Sequence, residues 1–114
     1  MFVLSVRIRK MFPKNNRVID KKRLENAKHC KVCQSCNNHS DTIVAAHYQG
    51  PYQQQLGKGM GQKPDDIHTC YICQECHDAF DGRSPRFSEL STVEKGLLFM
   101  VAIQKTNKWI AQNG

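Results

Sequence analysis

Two short stretches decide the fold of this chain, Cys33-Gln34-Ser35-Cys36 and Cys73-Gln74-Glu75-Cys76-His77. Each places two cysteines three positions apart, so one tight turn can supply two corners of a tetrahedron. Two such pairs in a short chain are typical of a zinc ion with four thiolate ligands. Because protein ligands would fill all four positions around the ion, we expect a structural zinc site and not a catalytic one.

The spacing leaves the register of each pair open. Cys30 lies three residues before Cys33, and Cys70 lies three residues before Cys73, so earlier pairs are also permitted. We favour the later pairs because Cys76 directly precedes His77, and we interpret Cys70 as a buried packing residue. Cys30 is the more serious rival. The favoured zinc ligands are Cys33, Cys36, Cys73 and Cys76.

The size and composition of the chain also favour a domain that a metal stabilises. The chain has 114 residues, of which 39% are hydrophobic, so its core must be small and a metal would compensate for that. Three disulfides would need an oxidising compartment, whereas the apolar run at the start is too short for a signal peptide. No stretch approaches the roughly 20 apolar residues of a membrane span. We therefore expect a cytoplasmic protein with reduced cysteines and no membrane partner.

Positive charge is concentrated towards the amino-terminal end. Residues 1–31 carry ten Lys and Arg against two acidic residues, whereas residues 32–114 carry seven against eight. We divide the chain into a basic arm, residues 1–29, and a body, residues 30–114. The arm should contain a strand followed by a helix, and the sequence leaves open whether it packs on the body. Such an arm favours contact with nucleic-acid phosphates, although a solvated basic face would have the same composition.

The body has the pattern of an α+β domain. Residues 42–48 predict a strand that presents His47, and residues 66–72 predict a second strand after a glycine-rich loop. Residues 73–81 should form a short helix that Gly82 caps. Ser91 and Glu94 have the spacing of a capping box, which begins a last helix. That helix is apolar nearly all round at its centre, so we expect it to be the main core element.

Three residues of the body suit metal-assisted hydrolysis. His77 and Asp81 lie four positions apart on the predicted helix, so their side chains share one face and could hold a divalent metal with open positions. His47 falls between two cysteine pairs that zinc would draw together, which places it towards His77. A neutral imidazole can take a proton from water, and a nearby metal can stabilise the charge on a phosphodiester under attack.

The predicted elements follow in a set order: a strand with His47, a loop, a second strand, Cys-x-x-Cys-His and a helix. This order resembles that of the zinc-knuckle HNH endonucleases, which have a ββα-metal fold. More narrowly, the segments 36–47, 57–66 and 73–83 are similar to the prophage YbcO-like family of predicted HNH nucleases. The similarity covers about residues 30–112. It implies a small ββα-metal domain with a four-cysteine zinc knuckle and a C-terminal helix, acting on DNA in a bacterial host cell.

The resemblance also implies roles for individual residues. His47 takes the position of the general base, and His77 and Asp81 take the positions that bind a catalytic divalent metal, Mg²⁺ or another. The middle HNH residue, which orients the base, would fall near Asp65 or Asp66, and we assign Asp66. An acid there would pair with the imidazolium. Cleavage by such an enzyme would leave a 5′-phosphate.

One position departs from the HNH pattern. Many HNH proteins have an acid or a histidine directly before the base, as a metal ligand, and this chain has Ala46. With fewer protein ligands, the metal would be held weakly until a DNA phosphate completes its shell. The departure supports a second hypothesis, in which the chain is a zinc-stabilised nucleic-acid-binding module without catalysis.

Overall fold

A two-stranded antiparallel sheet joins the two cysteine pairs in the computed structural model, which describes residues 17–49 and 64–113. The sheet pairs Val44 with Ile72 and His47 with Thr69. β-Branched residues occur in both strands and suit a half-buried pleated surface. The helices and strands are α1 (Lys21–Asn26), β1 (Val44–His47), β2 (Thr69–Ile72), α2 (Gln74–Phe80) and α3 (Thr92–Asn113).

The second strand begins three residues later than the sequence predicts, because Asp66–His68 form a turn of 3₁₀-helix. The Thr69 hydroxyl donates a hydrogen bond of 2.8 Å to the Asp66 carbonyl, which closes this turn. The Asp66 amide donates to the Val18 carbonyl at 2.9 Å. The backbone of Asp66 therefore bonds to a segment outside the sheet instead of continuing the ladder.

Helix α2 begins between the two cysteines of the second pair, and Cys73 is its N-cap. The helix ends at Phe80, and Gly82 caps it as expected. The φ of Gly82 is 81°, in the left-handed region that glycine tolerates best. The Gly82 amide donates to the Ala79 carbonyl at 3.1 Å, and the Arg83 amide donates to the Asp78 carbonyl at 2.7 Å. This pair of bonds is a Schellman motif, which satisfies the last carbonyls of the helix.

Helix α3 begins with the predicted capping box. The Ser91 amide donates to the Glu94 carboxylate at 2.9 Å, and the Glu94 amide donates to the Ser91 hydroxyl at 3.1 Å. One face of α3 is buried against β2, where the Thr106 hydroxyl accepts the Tyr71 amide at 3.0 Å. The helix contributes Phe99, Ala102 and Ile103 to the core, as expected of the main core element, whereas its apolar Leu97 is 66% exposed. A two-stranded sheet covers only one face of a helix.

The described part of the basic arm, residues 17–29, packs on the body. Asp20 caps α1 by accepting the Arg23 amide at 3.0 Å. The Arg23 guanidinium donates to the Thr69 hydroxyl at 2.7 Å, to the Thr69 carbonyl at 2.6 Å and to the Asn107 side chain at 2.8 Å. The Tyr71 hydroxyl donates to the Arg23 carbonyl. Arg23 thus ties α1 to both β2 and α3.

The buried residues of the described segments form two core clusters. One surrounds the cysteine pairs and includes Ile72 and Phe99, and the other contains Ala27, Cys30 and Tyr71. The strand predicted within residues 1–16 and the loop residues 50–63 lie outside the described residues. In residues 17–49 and 64–113, no helix is both long and apolar enough to cross a membrane.

Candidate metal centre and catalytic cleft

The four cysteines of the favoured register lie together. Their sulfur atoms are all within 4.8 Å of one another, and the Cys36 and Cys73 sulfurs are 4.0 Å apart. Bonds of about 2.3 Å to a tetrahedral zinc ion would place sulfurs roughly 3.8 Å apart. All six cysteines are free thiols. The cluster can therefore hold a metal ion such as zinc with only small adjustments of its side chains.

A local backbone turn positions the first cysteine pair. The Cys33 sulfur accepts hydrogen bonds from the Ser35 and Cys36 amides, at 3.4 and 3.3 Å. The turn closes at Asn37, which has a φ of 64° and donates its amide to the Cys33 carbonyl at 2.9 Å. Asn is among the residues that adopt this left-handed conformation most readily. Amides aimed at a sulfur stabilise the thiolate form that a metal requires.

An arginine supplies positive charge to the cluster. The Arg86 guanidinium donates to the Cys76 sulfur at 3.1 Å, and it forms an ion pair of 2.7 Å with Glu75. Burial raises the pKa of Cys36, but hydrogen bonds from the Asn38 amide and the neighbouring thiols outweigh this effect and lower the pKa to about 7. At neutral pH the Cys36 thiol therefore loses its proton more readily than a free cysteine does, whereas burial raises the pKa of Cys33 and Cys76.

The two remaining cysteines lie outside the four-sulfur cluster. The Cys30 thiol donates to the Val32 carbonyl at 3.2 Å and accepts from the Gln34 side chain at 3.5 Å. Cys30 is buried beside Tyr71, in the second core cluster. Cys70 has no exposed surface, and burial raises the pKa of its thiol. A neutral buried thiol behaves as a small apolar side chain, as the sequence indicated for Cys70.

His47 forms a close pair with Asp66 at the end of the sheet. The His47 Nε2 and the Asp66 Oδ1 are 2.9 Å apart. The other Asp66 carboxylate oxygen accepts the Asp20 amide at 2.8 Å, and Arg17 lies 3.5 Å from Oδ1. Asp65 instead accepts the Val18 amide at 2.8 Å. Of the two candidate acids, Asp66 is therefore the one that contacts His47.

The surroundings of Asp66 keep its carboxyl group ionised. Burial raises the pKa of this residue, but the His47 and Asp20 hydrogen bonds, with the charge of Arg17, lower the pKa below its ordinary value. A carboxylate accepts hydrogen bonds and cannot donate one. The proton between the two side chains therefore belongs to His47 Nε2, which leaves Nδ1 of a neutral ring as a proton acceptor.

His77 and Asp81 share one face of α2, as their spacing predicts. The His77 Nε2 and the Asp81 Oδ2 are 3.9 Å apart, and Asp81 also pairs with Arg83 at 3.0 Å. The Gln74 side-chain nitrogen lies 3.5 Å from the His77 Nδ1. The side chains of His77 and Asp81 are each about one-third exposed. Among the described residues, only the four cysteines form a group of three or more potential ligands around one point.

A cleft of about 360 Å³ brings His47 and Asp81 to one surface. His77 lies one helical turn before Asp81 and is not among the residues that line the cleft. The structure therefore places the predicted base near one of the two predicted ligands of the catalytic metal. The lining residues are His47, Tyr48, Gln49, Phe80, Asp81, Thr92, Lys95, Gly96 and Phe99.

Sequence reasoning missed the residues that hold Asp66 in place. Arg17 and the backbone of Asp20 reach this carboxylate from 49 and 46 residues away along the chain. No local pattern signals contacts over that distance. The cluster of basic residues in the arm was the only available signal, and it pointed towards nucleic-acid phosphates and not towards an internal carboxylate.

The sequence matches the model of a protein family that is described as "Putative nuclease YbcO", over residues 20–114. The match begins at Asp20, so it includes α1 as well as the body. The similarity seen in the motifs alone began about ten residues later. No curated protein and no solved structure matches the chain.

Proposed function

Since the chain belongs to the YbcO family of nucleases, we propose that it is a metal-dependent DNA endonuclease of the HNH type, from a phage or prophage. Its substrate class is nucleic acid, as the family implies. The pairing of His47 with an ionised Asp66, at the edge of a cleft that Asp81 also lines, carries this proposal. We place its action in the cytoplasm of the bacterial host.

In this mechanism His47 is the general base. Its Nε2 donates to Asp66 at 2.9 Å, so its Nδ1 is the ring nitrogen that would take a proton from the attacking water. Asp66 orients the ring and stabilises the imidazolium that forms. The buried position of Asp66 and its bond from the Asp20 amide fix the angle at which the imidazole is presented.

His77 and Asp81 would hold the catalytic divalent metal, Mg²⁺ or another. An imidazole and a carboxylate suit such an ion, which would stabilise negative charge on the phosphate and the leaving oxygen. Ala46 precedes His47, and its methyl side chain supplies no ligand. The two-residue site therefore needs water and substrate oxygens to complete its coordination, and we expect weak metal binding without DNA.

The other parts of the molecule support the cleft. Zinc in the four-cysteine cluster would fix the junction of β2 and α2. Helix α2 in turn carries His77, and Asp81 is its C-cap. The basic arm would add contacts to DNA phosphates through its Lys and Arg side chains.

Plasmid nicking tests the proposed chemistry directly. The parent protein should nick supercoiled plasmid only with added Mg²⁺ or Mn²⁺. His47→Ala should lower the rate about 10²- to 10⁴-fold, the usual contribution of general acid–base catalysis. His39→Ala is the matched control, because His39 is exposed and lies outside the cleft. If the parent cuts no form of DNA, or if His47→Ala cuts as fast, this proposal fails.

The alternative is a zinc-stabilised nucleic-acid-binding module without catalysis. The buried Ala46 and the two-residue His77–Asp81 site favour it, because both leave the catalytic metal with few protein ligands. Under this alternative, DNA binding would persist in His47→Ala and in the parent, and neither protein would cut DNA with any divalent metal.

A further inference from the structure

One face of α3 forms a wall of the cleft. Thr92, Lys95, Gly96 and Phe99 line it, at positions that repeat every three or four residues along one helical face. The Phe99 ring lies 5.5 Å from the Tyr48 ring and 5.0 Å from the Phe80 ring, measured between centroids. The cleft therefore combines an aromatic part with a wall that presents a cationic side chain.

The cation in this wall, Lys95, forms no ion pair with an acidic side chain of residues 17–49 and 64–113. Arg83 pairs with Asp78 and Asp81, at 3.1 and 3.0 Å, and Arg86 pairs with Glu75. By contrast, the Lys95 side chain forms no ion pair or hydrogen bond with any residue in the part of the chain that the structure describes. Lys95 is half-buried and lines the cleft, and a positive charge without an ion-pair partner there attracts an anion that enters the cleft.

We propose that Lys95 binds a phosphate of the DNA backbone where the strand passes His47 and Asp81. The assignment rests on the proposed function of this cleft, but the contact itself requires only that DNA binds there. A lysine ammonium is a compact charge that suits a single phosphate oxygen. On this account Lys95 holds the strand beside the base, and His77 and Asp81 are left to the metal.

Salt dependence measures this contact independently of cleavage. Binding of a fluorescein-labelled 20-bp DNA duplex would be followed by anisotropy from 50 to 200 mM KCl, without added divalent metal. Lys95→Ala should reduce the slope of log affinity against log salt by about 0.9, the value for one lost phosphate contact. Over this range, the variant's affinity should therefore fall about 3- to 4-fold less than that of the parent. Lys95→Arg should restore the parent slope.

Lys108→Ala is the matched control. Lys108 is an exposed lysine on the same helix, about 20 Å further along its axis at 1.5 Å per residue. This variant should keep the parent slope. The assignment would be overturned if Lys95→Ala kept the parent's salt slope, or if Lys108→Ala lowered the slope as much as Lys95→Ala does. It would also be overturned if Lys95→Arg did not restore the parent slope.

The two proposals fail in different ways. A parent protein that binds the duplex but cuts no DNA with Mg²⁺ or Mn²⁺ contradicts the endonuclease alone, and the Lys95 slope still decides the contact. A parent protein that does not bind the duplex contradicts the Lys95 assignment. Zinc content and the circular dichroism spectrum of each variant should equal those of the parent, which ensures that the comparison is between folded proteins.

Discussion

The four-cysteine cluster and the cleft at His47 present their candidate metal ligands in opposite ways. In the cluster, four sulfurs converge within 4.8 Å, and three of the four residues are buried. Asp81, which lines the cleft, and His77, one helical turn before it, are a pair 3.9 Å apart, and both are about one-third exposed. The first arrangement can enclose an ion completely, whereas the second leaves most coordination positions to solvent or substrate. That difference suits a structural metal and a catalytic metal respectively.

The largest expected effect comes from breaking the cluster. Cys73→Ser should remove the metal and unfold the protein, because zinc binding to such sites contributes on the order of 10 kcal/mol to folding. Metal analysis and circular dichroism would show less than one zinc per chain and a loss of secondary structure. Strong chelators should have the same effect on the parent.

Cys30→Ala is the matched control for that variant. Cys30 is also buried, but its thiol bonds to the Val32 carbonyl and lies outside the cluster. The variant should keep one zinc ion per chain. If Cys30→Ala loses zinc while Cys73→Ser retains it, the two cysteines have the opposite roles to those described here.

Changes at the cleft should affect the catalytic metal and not the fold. His77→Ala should weaken Mg²⁺ or Mn²⁺ binding by at least about 10- to 100-fold, the usual cost of losing a residue that only supports a ligand, and Asp81→Asn should weaken it less. Excess metal should partly restore nicking in both variants, because each loses a ligand and keeps the base. Both variants should retain one tightly bound zinc ion, which would show that the cysteine site does not depend on the catalytic site. Loss of zinc in His77→Ala would contradict this independence.

The basic arm should strengthen DNA binding without changing either metal site. Residues 1–16 carry four Lys and Arg and no acidic residue. Their deletion should reduce the salt slope of DNA affinity by up to roughly 3 to 4 units if every one contacts a phosphate. A longer deletion would also remove Arg23, which bonds to Thr69 and Asn107. An unchanged slope would identify residues 1–16 as a solvated basic segment only.

The smallest effect concerns the stability that Asp66 provides. Asp66→Asn should lower the free energy of unfolding by about 1–3 kcal/mol, since it removes a buried charged acceptor. The lowered pKa of Asp66 means that its contribution is present above the unfolded pKa, about 3.9, and disappears only as pH falls through the lower folded value. Urea unfolding should therefore show a gap between parent and variant that does not shrink from pH 8 to pH 5.

Short-range patterns carried most of what the sequence predicted correctly. The capping box at Ser91 and Glu94 and the cap at Gly82 form where they were expected, because each depends on residues a few positions apart. The cysteine pairs also come together as the Cys-x-x-Cys spacing indicated. In these cases the structure depends on residues a few positions apart, or on cysteine pairs spaced so that they could share one ion, and both can be deduced from spacing.

Contacts between distant residues explain what the sequence did not predict. Asp66 was expected in a strand, but it turns away to accept bonds from Asp20 and His47, 46 and 19 residues distant. Arg23 was counted as a DNA-binding cation, yet its guanidinium bonds to Thr69 and Asn107 inside the fold. Charge alone does not distinguish a cation that contacts phosphate from one that contacts the protein.

A crystal structure with both metals identified by anomalous scattering would test the central claim most directly. The protein would be crystallised with Mn²⁺ and a short DNA duplex, with data collected at the zinc and manganese absorption edges. The account predicts zinc among Cys33, Cys36, Cys73 and Cys76, and manganese bound by His77 and Asp81 at the edge of the cleft that His47 lines. Zinc at His77, manganese among the sulfurs, or a cleft without metal beside bound DNA would contradict the separation of a structural site from a catalytic one.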